Sequence, residues 1–299
     1  MSAINLGATL YVPALHPNVV EIARGACPDL RSMVICLEDA IHDNDVETAK
    51  TRFVEVLRLL EAERASVRLY VRPRDIAMLA WMLRLRGIER VDGFVLPKVS
   101  AQSLPQWLGV LIDETHGLMP TVEGEDAFDR EALGRMRDQL IPFGDRVHAV
   151  RIGGNDILSV LGVRRSRLRT AYEGPLGPVI RDVAGAFLPH GIAVAAPVFE
   201  HYGSPELLRR EVEQDIEHGL LTKTAIHPGQ VAVIHECYRP SAAEMREART
   251  ILSPDAAAVF GTAGSMCEPA THRRWAGFVI ERAQVYGIEP EFDVDARVA

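Results

Sequence analysis

Eight short apolar, β-branched segments recur along the chain, and helical patterns fill most of the gaps between them. The segments are Thr9–Val12, Ser32–Leu37, Val67–Val71, Gly93–Leu96, Leu118–Val122, Ala149–Ile152, Ile192–Ala196 and Thr224–Ile226. An apolar run of this length, bounded by turn residues, suits a strand covered on both faces. The intervening stretches repeat at helical spacing. Phe53, Val56, Leu57 and Leu60 form one stripe within 46–63, and 75–86, 128–140 and 205–217 behave similarly. Strands that alternate with helices, each connection long enough for a crossover, predict a (β/α)8 barrel of the α/β class. A doubly wound open sheet is the second choice. No GxGxxG follows the first strand, which argues against a dinucleotide site there.

At 299 residues and 47% apolar, the chain can bury a full core with something left over. The pattern changes after Pro240. A helix over 241–252, with Ser241 as N-cap, a small-residue break at Gly261-Thr-Ala-Gly-Ser265 and a last helix over 269–286 follow. The expected division is therefore a barrel over 1–239 and a C-terminal helical extension over 240–299. The net charge of −8 speaks against nucleic acid or an anionic membrane as partner. No run has the roughly 18 apolar residues of a spanning helix, and no secretory-type segment opens the sequence, so a cytoplasmic protein is expected. Cys27, Cys36, Cys237 and Cys267 lack CxxC spacing and read as bystander thiols without a zinc framework.

Candidate chemistry collects at strand ends, where barrels keep their active sites. Leu118–Glu123 and Val147–Asp156 each run from apolar residues to an acid, and two such carboxylates could hold one hard cation. The plain alternative for Asp156 is a cap for the helix after it. Gly153 and Gly154 would let backbone approach a ligand. Glu38 and Asp39 end the second segment as an adjacent acid pair that wants a cation nearby. Arg72 ends the third, placed either to bind a carboxylate through its planar fork or to pair with those acids. Lys98 and Lys223, read as sitting where strands end, are alternative nucleophiles for a Schiff base; charge balance against the acids explains them equally well. His227 reads as a structural histidine.

Together these pieces resemble the metal-dependent C–C lyase superfamily of the citrate lyase β-subunit and the malyl-CoA lyases. The resemblance rests on Leu37–Ile41 (LEDAI), Val71-Arg72, Leu96–Val99 (LPKV), Glu123, Gly153–Asp156 (GGND) and Lys223–Gln230 (KTAIHPGQ), in the family's order. Gly7–Ala14 (GATLYVPA), Ile35–Ile41, Arg151–Asp156 and Ala196–Glu200 (APVFE) bring it nearest to the C–C bond lyases of the TIM-barrel fold, a bacterial subgroup linked with stress or tellurium-resistance operons. The resemblance implies a (β/α)8 barrel and Mg²⁺ held by Glu123 and Asp156. It implies a keto-acid carboxylate held by Arg72 beside Gly153, Gly154 and Asn155, with Glu38 and Asp39 ordering water around the metal. Where CoA-using relatives open strand one with Arg-Ser, this chain has Gly7 and Ala8, which predicts a substrate other than a CoA thioester. The residue before Lys223 is Thr222 instead of the family's glycine. The family's tail aspartate finds its nearest counterpart in Glu268.

The expected activity is Mg²⁺-dependent cleavage or formation of a C–C bond next to a 2-keto acid, with a keto acid or hydroxy acid as the partner molecule. The metal would act as a Lewis acid on the keto acid's oxygens. A homo-oligomer is expected, with the tail as a moving cover whose Glu268 and His272 serve proton transfer. The alternatives are a lysine Schiff-base aldolase, or a catalytically silent barrel that serves as a binding subunit of a larger complex.

Overall fold

The structure is a computed structural model and describes residues 2–262 and 264–290. The chain divides into two compact units, residues 1–234 and 235–299.

The first unit holds the eight expected strands: β1 (Ala8–Pro13), β2 (Ser32–Cys36), β3 (Arg68–Arg72), β4 (Gly93–Val99), β5 (Gly117–Val122), β6 (Val150–Ile152), β7 (Val194–Ala195) and β8 (Lys223–Ala225). They lie in the order β7-β6-β5-β4-β3-β2-β1-β8, and every pairing is parallel. A bridge from Ala196 to Lys223 joins β7 to β8 and completes the ring, which rules out the open sheet. All five residues of β2 and all six of β5 are buried, as a strand between a barrel interior and an outer helix requires. Regular pairing in β7 covers only two residues of a five-residue apolar run. Pro197, which has no N–H to give the ladder, stops it at one end, and the left-handed turn at Gly191 delays it at the other.

Inside the barrel, Val34, Tyr70, Val95, Met119, Ala149 and Ala195 form one apolar layer with Leu6, and Tyr11 packs against it. Side chains alternate along a strand, so the residues two positions further on form the next interior layer toward the C-terminal mouth. That next layer contains Cys36, Arg72, Thr121 and Arg151. The apolar layer is a floor, and the polar layer rests on it.

The Val46–Ala62 helix buries Ala49, Phe53, Val56, Leu57 and Leu60, the stripe expected from spacing. Lys223 begins β8 instead of ending a strand. Its ammonium is fully buried behind the sheet, 2.9 Å from Glu211 and 2.8 Å from Asp215 on the Pro205–Glu217 helix. Tyr172 adds a hydrogen bond to Asp215 at 2.8 Å, so the 170–177 segment is tied to this same buried network. His227 stacks on Tyr202 and accepts from the Gly229 N–H, which fits its structural reading.

In the second unit, Ser241 caps the Ala242–Leu252 helix in a capping box with Glu244. The Pro269–Tyr286 helix packs on it through Met245, Ala248, Ile251, Ala276 and Val279, with Cys267. The small-residue stretch read as a flexible break is instead an antiparallel hairpin, with Phe260–Thr262 paired to Ser265–Cys267. Gly264 takes the left-handed turn position (φ 79°), and Ala263 lies outside the described residues. None of the four cysteines is in a disulfide.

Candidate active site

Glu123 follows the last residue of β5 and Gly153 follows β6, so the two strands deliver both to the mouth at one level. Their closeness is steric: a Cβ on Gly153 would lie 2.3 Å from both Cβ and Oε2 of Glu123. Gly153 also caps the short Gly154–Val160 helix, which displaces Asp156 from the capping role and leaves it in the first turn. The β4–β5 register breaks between Leu96 and Val99, and Lys98 there adopts a left-handed backbone (φ 48°). A lysine holds such a conformation only when its surroundings demand it. Here it aims the Lys98 N–H at Glu123 Oε1, 2.5 Å away.

The Lys98 ammonium spans the acid pair of strand two, 2.7 Å from Glu38 and 2.9 Å from Asp39. Arg72 Nη2 lies 3.1 Å from Glu38 and 3.7 Å from Asp39. The cations that relieve the Glu38–Asp39 repulsion are therefore side chains of the protein. Arg72 is further held by Nε and Nη2 contacts to Cys36 Sγ at 3.2 and 3.1 Å, and its guanidinium sits 5.3 Å from the Tyr11 ring centroid. Its Nη1 has no protein acceptor among the described residues, and Arg72 lines a cavity at the mouth.

Charge separates the four acids into two pairs. Glu38 is raised by burial and by its hydrogen bond with Asp39. Asp39 is lowered, because its hydrogen bonds to Glu38 and Lys98 outweigh its own desolvation. Lys98 is raised: the acids it bridges overcome the cost of its burial. A lysine held protonated in this way is poorly suited to Schiff-base formation, and Lys223 is sealed from any substrate. Glu123 and Asp156 behave differently, since neither has an ion pair among the described residues. Glu123 is pushed up to about 8 by burial and by the charge of Asp156. Asp156 is raised by burial and by Asp39.

These groups border a cavity of about 540 Å³, shared by Arg72, Asp39, Glu123, Gly153, Gly154, Asn155 and Asp156. A neighbouring cavity of about 780 Å³ meets it at Glu123, Asp156 and Ser159 and continues past Lys98. Seven of the expected site residues thus border one space, and Glu38 stands behind them, 4% exposed. Glu268 belongs to the second unit. It caps the Pro269–Tyr286 helix, and its backbone N–H donates to His272 Nδ1 at 3.0 Å. Among the cavity residues to which the sequence reading gave no role are Tyr11, Thr121, Arg151 and Thr224. Period-two counting would have found two of them, because Thr121 and Arg151 stand two residues before Glu123 and Gly153.

Among the described residues no group of three or more His, Cys, Asp or Glu side chains is arranged for a metal. A pair of carboxylates is nevertheless a fitting set for Mg²⁺, which keeps several waters and takes one or two protein acids. Two raised, unpaired carboxylates at one cavity, with the missing Gly153 Cβ leaving room against Glu123, fit a dication.

Gly7 and Ala8 precede and open β1, whose mouth end is Pro13. At about 3.3 Å per residue they are on the order of 17 Å from that end. Gly7 and Ala8 therefore stand at the floor end of β1, away from the mouth.

Residues 1–288 match the model of the family described as C–C bond lyases of the TIM-barrel fold. A (3S)-malyl-CoA thioesterase of Cereibacter sphaeroides is 25% identical over 238 residues, 80% of this chain and 79% of the relative. An L-malyl-CoA/β-methylmalyl-CoA lyase of the same species is 22% identical over 264 residues, 82% of each chain. Among solved structures, CitE of Mycobacterium tuberculosis in complex with magnesium, acetoacetate and coenzyme A superposes with a TM-score of 0.70 at 21% identity, covering 94% of this chain and 99% of its own. The citrate lyase β-subunit of the same organism, complexed with oxaloacetate and magnesium, gives 0.60 at 20% identity over 80% of this chain and 100% of its own.

Proposed function

Because the chain belongs to the C–C bond lyase family of the TIM-barrel fold, we propose that it is a Mg²⁺-dependent enzyme that breaks or forms a carbon–carbon bond beside a 2-keto acid. The observation that carries this reading is the pair of carboxylates, Glu123 and Asp156, that face one cavity without an ion pair. Both would serve as metal ligands. When bound, Mg²⁺ supplies Lewis-acid stabilisation of negative charge developing on the substrate's oxygens.

The protein's own groups do the remaining work. Arg72, fixed by Cys36 and Glu38, offers Nη1 to the substrate carboxylate. Gly153, Gly154 and Asn155 form the wall on which that molecule lies, since glycine brings backbone close. Glu38 and Asp39, held by Lys98, orient Arg72 and order water at the mouth. Glu268, supplied within a homo-oligomer, is the proton-transfer group. The relatives that act on malyl-CoA, and the neighbour solved with oxaloacetate and magnesium, support this class of chemistry.

The test is a turnover assay with Mg²⁺ on a panel of hydroxy acids, offered as free acids and as CoA thioesters. Turnover that stops in chelator and in Glu123→Gln supports the reading, and preference for the free acids supports a substrate without CoA. Turnover that persists in chelator, or a product trapped on lysine by borohydride, overturns it. Mg²⁺ binding without turnover of any member would leave the barrel as a binding subunit.

A further inference from the structure

We infer that Arg151 is a second anion receptor inside the barrel, and that it selects a keto acid carrying another carboxylate beyond the one at Arg72. The inference rests on the functional reading above and adds a residue and a substrate class to it.

Arg151 lies in the middle of β6 with 1% of its surface exposed. A guanidinium stays charged at any accessible pH, so it cannot escape burial by losing its proton. A buried cation is costly unless a charge partner meets it. The chain's other comparably buried cations obey that rule: Arg165 and Lys223 meet Glu211, and Arg282 has Glu244 at 3.9 Å. Arg151 meets no carboxylate among the described residues. Its contacts are the Thr224 hydroxyl at 2.7 Å, the Met119 sulfur at 3.3 Å and the face of Tyr11, 5.3 Å away. Two of its five N–H donors are used, and Nε has no acceptor.

A second polar group is left open in the same place. Thr121, paired in register with Arg151 across β5 and β6, buries a hydroxyl without a partner. Both residues border the cavity that holds Arg72 and Glu123. An orphan donor set that includes a full positive charge, next to an unsatisfied hydroxyl, is a receptor for a carboxylate. The spacing suits a small diacid. Arg72 and Arg151 each stand 5.3 Å from the Tyr11 centroid, so their guanidinium carbons are at most twice that distance apart. Within that limit a four-carbon dicarboxylate is long enough to reach both, because each guanidinium–carboxylate contact itself takes up about 2.8 Å.

The experiment titrates oxaloacetate and pyruvate into the full-length protein with and without Mg²⁺, using wild type, Arg151→Gln, Arg151→Lys and Thr121→Val. The expected result is a loss of oxaloacetate affinity of about 10- to 100-fold in Arg151→Gln, a smaller loss in Arg151→Lys, and pyruvate affinity within about twofold throughout. Thr121→Val removes a hydroxyl that bonds to nothing in the protein. It should leave thermal stability intact and still weaken oxaloacetate alone, which keeps the test sound should Arg151→Gln fail to fold. An unchanged oxaloacetate-to-pyruvate ratio in these variants, with Mg²⁺-dependent pyruvate binding preserved, overturns the role of Arg151 and leaves the functional reading standing. Absence of Mg²⁺-dependent binding of either acid to wild type overturns that reading and this inference with it.

Discussion

Replacing Gly153 by alanine separates the site's geometry from the backbone's needs. Gly153 has φ −83° and ψ 75°, a region open to any residue, so alanine adds no backbone strain. The obstacle is Glu123, whose Cβ and Oε2 would both lie 2.3 Å from the new methyl group. A clash with Oε2 alone could be relieved by turning the carboxylate. The Glu123 Cβ cannot turn, because it is fixed to the end of β5, and the Gly153 N–H ties β6 to that strand through Val122 O at 2.9 Å. The strand ends must part, or Glu123 must leave its position and its bond to the Lys98 N–H. Overpacking of this kind costs about 1–3 kcal/mol, which is roughly 3–10 °C in the melting temperature of a domain of this size. Displacing one of two protein carboxylates should weaken Mg²⁺ by about tenfold or more. Calorimetric titration with Mg²⁺ and a thermal melt read both effects. Gly124→Ala is the control, since a Cβ there meets nothing within 4 Å. Wild-type Mg²⁺ affinity and melting temperature in Gly153→Ala would refute the argument.

Three further outcomes follow from other parts of the barrel. Arg72→Lys keeps the charge and loses the planar fork that Cys36 and Glu38 hold, so keto-acid affinity should fall by about tenfold in calorimetry while Mg²⁺ binding stays; unchanged affinity would make Arg72 structural. His148, which shares a 2.8 Å hydrogen bond with the Tyr70 hydroxyl, is lowered to about 4 by burial and by the charge of Arg68. Its unfolded value is near 6.5, so the unfolded chain binds the extra proton between those pH values. Stability is complete above pH 6.5 and is lost as pH falls toward 4, by about 2 kcal/mol after allowance for partial exposure. Denaturant titrations should show that loss in wild type and a smaller one in His148→Gln. Lys223→Met leaves Glu211 and Asp215 buried with less positive charge, and should cost about 3–5 kcal/mol in unfolding experiments. Keto-acid binding to the folded variant should persist, and its loss would restore Lys223 as a substrate-binding group.

The barrel was legible because each strand announces itself as a short apolar run, and burial on both faces is what a (β/α)8 ring demands of it. The positions of Glu123 and Arg72 were legible because a charge at the end of such a run has only the mouth to occupy, and that of Asp156 because the helix that carries it in its first turn starts directly after β6. Arg151 was hidden by the same logic: a charge inside an apolar run reads as part of the strand, and only the alternation of faces shows that it points inward. Lys223 was misread because its position relative to β8 depends on where pairing starts. Gly7 sets that start by accepting from Lys223 N and the Thr222 hydroxyl. The hairpin at 260–267 was read as a break because small residues carry no hydrophobic period, although Gly264 supplies a left-handed turn between its strands.

The central claim is that Glu123 and Asp156 share one divalent ion at the mouth of the barrel. A crystal soaked with Mn²⁺ in place of Mg²⁺, measured at a wavelength where manganese scatters anomalously, tests it directly. One anomalous peak is expected within coordination distance of both carboxylates, absent in crystals of Glu123→Gln. A peak elsewhere, or none at these residues, would contradict it.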